Sequence, residues 1–168
     1  AQYLLGSAYF NGEGVAQDHV KAIRWFQKSA EQGNADAQCM MGFMYADGES
    51  VVHDDVESAE WYRMSAEQGD DDAQYSLGWA YYHGKGVAQD YGKAIKWLRK
   101  AVKQGNANAQ HLLGDIYYYG QGVAQDHVKA IKWFQKSAEQ GDAGGQCAMG
   151  RAYYYGSGVD EDYTEAFK

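Results

Sequence analysis

The 168-residue chain is predicted to fold as an all-α solenoid of antiparallel helix pairs, on three observations. Ala-Gln pairs recur at a constant 36-residue interval, Ala1-Gln2, Ala37-Gln38, Ala73-Gln74 and Ala109-Gln110, with Gly145-Gln146 fifth in the series. Repeat periods of roughly 20 to 50 residues mark arrays whose units bury their apolar faces only against neighbours. Within each unit, apolar residues fall three or four apart, the spacing of one helical face. Proline is absent, and the 21 glycines include columns at fixed repeat positions, where they punctuate the helices.

About four and two-thirds units are predicted, 1–36, 37–72, 73–108, 109–144 and a partial 145–168, together forming one solenoid over 1–168. Each opens with helix A, as from Asn34 to Ala46, where Asn34, Asp70, Asn106 or Asp142 can accept orphan backbone donors as an N-cap. The inward columns of helix A are those of Ala1, Leu5, Ala8 and Tyr9, and Gly12 and its equivalents end it in a left-handed residue. Glycine inside a helix costs about 1 kcal/mol relative to alanine, so the Gly6 column implies a packing need. A Gly-x-Gly-Val turn follows. It lacks the third glycine and the preceding strand of a dinucleotide site.

Helix B then starts at a cap from the Asp18 column and carries Ala22, Ile23, Trp25, Phe26 and Ala30 on one face, stopping at Gly33. The short Gln-Gly-Asn connection returns the next helix antiparallel. Because the Tyr9 and Trp25 columns recur in the units, they describe stacking. Residues 15–33 and 123–141 differ only at Arg24 against Lys132, so no unique catalytic group lies there.

The pattern Ala-Gln-x-x-Leu-Gly-x-x-Tyr-x-x-Gly-x-Gly-Val-x-x-Asp-x-x-Lys-Ala-x-x-Trp-x-x-Lys-Ala-Ala-Glu-Gln-Gly resembles the Sel-1-like repeat, a cousin of the tetratricopeptide repeat, over the whole chain. The second unit departs from it at Ser50, Ser58 and Met64. The resemblance implies a right-handed α/α superhelix whose A helices line a concave face, used as an adaptor or scaffold that binds a protein or peptide. It also implies a bacterial setting of host interaction, envelope biology or immunity to secreted toxins, so an immunity protein is the alternative reading. Cysteine-rich relatives carry a disulfide in each repeat and include penicillin-binding members. The paired cysteines are missing here, so a penicillin-binding or hydrolytic enzyme is the third and weakest reading.

The formal charge of -8 and pI of about 5.0 argue against nucleic acid, which requires a basic stripe to displace counterions. Residues 37–72 carry ten acidic side chains against one basic, and 73–108 one acidic against six basic. These charges are either solvated faces that attract across the unit boundary or a two-signed field that orients a charged partner. No apolar run reaches membrane-spanning length. Cys39 and Cys147 are expected to be free thiols. Ala1 begins inside the repeat frame without an initiator methionine and Lys168 stops within a predicted helix, so a fragment is expected, and compartment and oligomeric state are left open.

No cofactor, metal or catalytic residue is predicted: His19 and His127 share a column three units apart, and His53, His83 and His111 have no partner at ligand spacing. Asp70, Asp71 and Asp72 are explained by a helix N-terminus. What varies between units is the third, seventh, tenth and eleventh columns of helix A, opposite its core side. That face carries Phe43, Tyr75, Trp79, Tyr82, His83, Asp115, Tyr118, Tyr119, Arg151, Tyr154 and Tyr155. Aromatic excess on a face that should be polar marks either a binding groove or rings packed between adjacent A helices. Asp115 and Arg151 can pair with each other or read a charged group on a ligand, and the pair is favoured.

Overall fold

The computed structural model describes residues 1–48 and 51–166, and every element among them is helical. The chain divides into two compact units, residues 1–90 and 91–168. The first holds α1 (Gln2–Asn11), α2 (His19–Glu31), α3 (Ala35–Asp47), α4 (Asp55–Gln68) and α5 (Asp71–His83). The second holds α6 (Tyr91–Lys103), α7 (Ala107–Tyr119), α8 (His127–Glu139), α9 (Ala143–Tyr155) and α10 (Tyr163–Ala166). Odd-numbered helices are the predicted A helices and even-numbered ones the B helices. Ser50 and Lys168 lie outside the described residues.

The predicted caps form. Asn34 Oδ1 accepts from the Ala37 amide at 2.9 Å, Asp70 from Ala73, Asn106 from Ala109 and Asp142 from Gly145. At the B helices, Asp18 accepts from Lys21, Asp54 from Val56 and Glu57, Asp126 from Lys129, and Asp162 from Thr164 and Glu165. The same aspartates close the turn through their backbones: Asp18 N–H donates to the Tyr9 carbonyl at 2.9 Å, and Asp54, Asp90, Asp126 and Asp162 repeat the bond to Tyr45, Tyr81, Tyr117 and Tyr153. One residue thereby ends the loop and starts helix B.

In the first unit Ala22, Phe26, Ala30, Ala37, Met41 and Met44 form a buried cluster; in the second, Ala130, Ile131, Phe134, Ala148 and Ala152 do so. Burying a Phe26-sized side chain contributes about 1.5–3 kcal/mol. Gly6, Gly42 and Gly114 make room for rings of helix B: a Cβ on Gly42 would stand 2.7 Å from Cδ1 of Tyr62, so the pair can approach only without one. Within the helix-B face the order of importance differs from expectation. Phe26, Tyr62, Leu98 and Phe134 are buried, whereas Trp25, Trp61, Trp97 and Trp133 are half-buried. Lys28, Lys100 and Lys136 lie over three of those indoles, 4.8, 3.9 and 4.8 Å from the ring centroids, so the tryptophan carries both packing and a cation–π contact.

Gln38, Gln74 and Gln110 are buried, although sequence gives no reason to place a polar amide inside. Gln38 donates to the Ala30 carbonyl at 3.1 Å and accepts from Gln68 at 2.7 Å, tying α3 to α2 and to the end of α4. Gln74 donates to Ala66, and Gln110 accepts from Gln140. In Gln38 and Gln74 the buried amide thus adds a second donor to a helix C-terminal carbonyl that also accepts from the turn glycine. Both cysteines are free thiols, and no helix among the described residues is long and apolar enough to cross a membrane.

Candidate functional site

In the first unit, Phe43 projects from α3 and Tyr75, Trp79, Tyr82 and His83 from α5. Phe43 is 45% exposed and Trp79 39%; Tyr75 and Tyr82 are half-buried and His83 is exposed. Trp79 and Tyr82 both press on His83, with ring centroids 4.3 and 4.7 Å away. Burial beside these rings, reinforced by the charge of Lys85, holds His83 below its usual value. The neutral imidazole, which continues the apolar surface, is thereby favoured.

Beside this patch a cavity of about 250 Å³ opens between α3, α4 and α5. Ala46, Ala59 and Ala80 give it small apolar walls, and Tyr62, Tyr75 and Trp79 give it aromatic ones. At one end Asp55 meets His53 Nε2 at 3.4 Å and Lys85 Nζ at 3.7 Å. The Lys85–Asp55 pair is a contact across the predicted step between the acidic second repeat and the basic third. Ser58 and Ser76 also line the cavity, and the Ser58 hydroxyl donates to the Gly42 carbonyl at 2.8 Å. Burial pushes the Tyr62 phenol up, assisted by Cys39 and Asp72 and opposed by a hydrogen bond with Ser76. Burial likewise raises the Cys39 thiol, with Asp70, Asp72 and Asp36 adding to it. Neither group is a nucleophile at neutral pH.

In the second unit Asp115, Tyr118, Tyr119, Arg151 and Tyr155 line one cavity of about 110 Å³ with Phe134 and Ala148. His111 Nε2 lies 3.8 Å from Asp115 Oδ2, within ion-pair reach when the imidazole is protonated. Burial raises the Asp115 carboxyl above its ordinary value, while His111 and Arg151 pull it down. Arg151 acts on Asp115 through its field across the cavity. Tyr119 and Tyr155 are 55% and 65% exposed. Tyr154 meets Tyr155 and Tyr163 edge-on, with centroids 4.9 and 5.4 Å away.

In the tenth column Tyr118 is more inward than its helical position implies, whereas Tyr154 is 43% exposed. Tyr118 stacks on His127 at 4.7 Å and also meets Phe134, so this ring packs against its own helix pair. Sequence reasoning missed Ala46, Asp55, Tyr62 and Lys85 as cavity residues. A signal existed for Ala46, the one small residue in a column otherwise made of Phe10, Tyr82, Tyr118 and Tyr154. Among the described residues no three His, Cys, Asp or Glu side chains gather in a metal-holding arrangement.

A profile of the Sel1 repeat matches residues 1–34, 35–70, 71–106, 107–142 and 143–168. Among solved structures, the chain is similar to c5321, a protective antigen of uropathogenic Escherichia coli strains displaying an SLR fold. The TM-score is 0.87 at 44% identity, over 98% of this chain and 35% of that one. It is also similar to a Sel1 repeat protein from Oxalobacter formigenes, with a TM-score of 0.93 at 34% identity over 99% of this chain and 66% of that one. The immunity protein Pa5087 from Pseudomonas aeruginosa shares the fold, with a TM-score of 0.68 at 22% identity over 99% of this chain and 64% of that one. The chain thus spans about a third of the length of the E. coli antigen and just under two thirds of the Oxalobacter protein. No curated protein sequence matches it.

Proposed function

Because the chain belongs to the Sel1 repeat family, we propose that it is a protein-interaction module, an adaptor or scaffold that holds a protein or peptide on the concave face lined by its A helices. Sel1 repeat proteins are generally interaction modules and generally non-enzymatic. The observation that supports the assignment of the face is Trp79 with Phe43: two large apolar side chains, both well exposed, stand on helix faces turned away from the core, and Trp79 also lines a cavity. Aromatic anchors next to pockets supply most of the binding energy of protein interfaces. The immunity role belongs to the Pseudomonas protein; at 22% identity that likeness speaks for the fold.

The test is affinity capture from the native cell with mass spectrometry, followed by titration of the captured partner against the chain and its Phe43→Ala/Trp79→Ala variant. A hot-spot pair should cost about 2–4 kcal/mol, a drop in affinity of roughly 30- to 1,000-fold. Unchanged affinity would place the binding surface elsewhere.

A further inference from the structure

The second repeat lacks a ring that its neighbours supply for themselves. In the first repeat Phe10 stacks on His19 at 5.1 Å and meets Phe26 at 6.3 Å. In the fourth, Tyr118 stacks on His127 at 4.7 Å and meets Phe134 at 6.3 Å. The residues at those three positions of the second repeat are Ala46, Asp55 and Tyr62, and all three line the 250 Å³ cavity. The void therefore lies in the contact that a tenth-column ring fills in other repeats. Its volume is below the roughly 300–1,000 Å³ of pockets that take whole small ligands; it suits a single large side chain.

The electrostatics of the rim select what flanks such a side chain. Residues 37–72 carry ten acidic side chains and one basic. Asp55 stands at one end of the cavity, where Lys85 already demonstrates a cation on it at 3.7 Å. Asp72 stands close enough to act on the Tyr62 phenol, and Asp70 and Asp72 on Cys39 next to it. Asp55 on the cavity wall, in a repeat with ten acidic side chains and one basic, favours positive charge beside whatever fills the hole.

We propose that this cavity receives one aromatic side chain of a partner polypeptide, flanked by Lys or Arg, which replaces in trans the ring that Ala46 omits. The proposal rests on the interaction-module reading and narrows the partner to a basic segment with an aromatic anchor.

The probes are the peptides acetyl-Lys-Lys-Phe-Lys-Lys-amide, its Phe-to-Ala analogue and its Lys-to-Glu analogue, titrated calorimetrically. Wild type should prefer the Phe peptide over the Ala peptide by roughly 10- to 100-fold, the worth of burying one such ring, and should bind the Glu peptide more weakly than the Lys peptide. Ala46→Tyr restores the missing ring and should abolish the preference without lowering the melting temperature. As a readout independent of that variant's fold, toluene should compete with the Phe peptide for wild type. Equal affinity for the Phe and Ala peptides, a preference that survives in a folded Ala46→Tyr, no competition by toluene, or equal binding of the Lys and Glu peptides would overturn the proposal. A chain that captures its cellular partner through Phe43 and Trp79 yet ignores these peptides keeps the module reading and loses this one.

Discussion

Alanine in place of Gly86 and of Gly14 should separate the cost of a turn from the cost of repeat stacking. Both glycines occupy the second glycine of the turn after an A helix, at φ of 66° and 74°. Alanine at either pays about 1–2 kcal/mol for the left-handed backbone, offset by about 0.4–1 kcal/mol from a less flexible unfolded chain. Around Gly14 an added Cβ meets nothing within 4 Å, so the loss there ends at about 0–1.5 kcal/mol. At Gly86 the same Cβ would collide with the Asp55 carbonyl oxygen and approach the Val56 nitrogen to 2.9 Å. Overpacking against backbone adds about 1–3 kcal/mol. The atoms displaced also belong to the turn that Asp54 caps through Val56 and Glu57, and loss of a cap adds about 1 kcal/mol. Urea unfolding followed by helical circular dichroism should therefore show Gly86→Ala less stable than Gly14→Ala by about 2–4 kcal/mol. Hydrogen exchange should place the lost protection at the start of α4. Equal losses in the two variants would refute the idea that this loop carries the contact between successive repeats.

Gln38→Ala removes one of the bonds accepted by the Ala30 carbonyl and one of those donated by the Gln68 amide, and should cost about 0.5–1.5 kcal/mol in urea unfolding; no measurable change would show the buried amide to be incidental. Asp115 offers a pH test. Burial raises its carboxyl above the ordinary 3.8 despite His111 and Arg151. The stability it contributes is therefore fully present below the unfolded-state value and lost as pH rises through the raised folded-state value. Asp115→Asn should raise the melting temperature at pH 7 and leave it unchanged near pH 3, and an equal effect at both would contradict the sign.

The caps at Asp18 and Asn34, the left-handed turn glycines and the Met41 and Ala37 core columns were legible because each depends on a few neighbouring residues and one period. Gln38 escaped because its burial depends on a carbonyl eight residues upstream and an amide thirty residues downstream, neither visible in local polarity. Trp25 and Phe26 were adjacent candidates for the same face, and only the position of the facing helix decides which is buried. For the candidate site, Phe43 and Trp79 stand exposed as their columns imply. The inward turn of Tyr118 reflects His127, a partner on another helix that a helical wheel omits.

Residues 15–33 and 123–141 differ at a single position, and their helices α2 and α8 reproduce one another. Lys28 and Lys136 each lie 4.8 Å from the indole centroid three residues earlier, and Gln27 and Gln135 each donate to the glutamate four residues later at 3.0 Å. Local sequence thus sets local geometry whichever compact unit contains it. Against these equal B helices sit unequal A-helix rings, Phe10 and Tyr118, and both stack on the histidine that opens helix B. In the second repeat that contact changes at three members together, to Ala46, Asp55 and Tyr62. Around it Met41 and Ala59 stay buried and Gly42 keeps its close approach to the Tyr62 ring. A departure confined to the layer outside an intact core leaves the stacking physics untouched, which is why the role proposed for the ring missing at Ala46 is one in binding and not in folding.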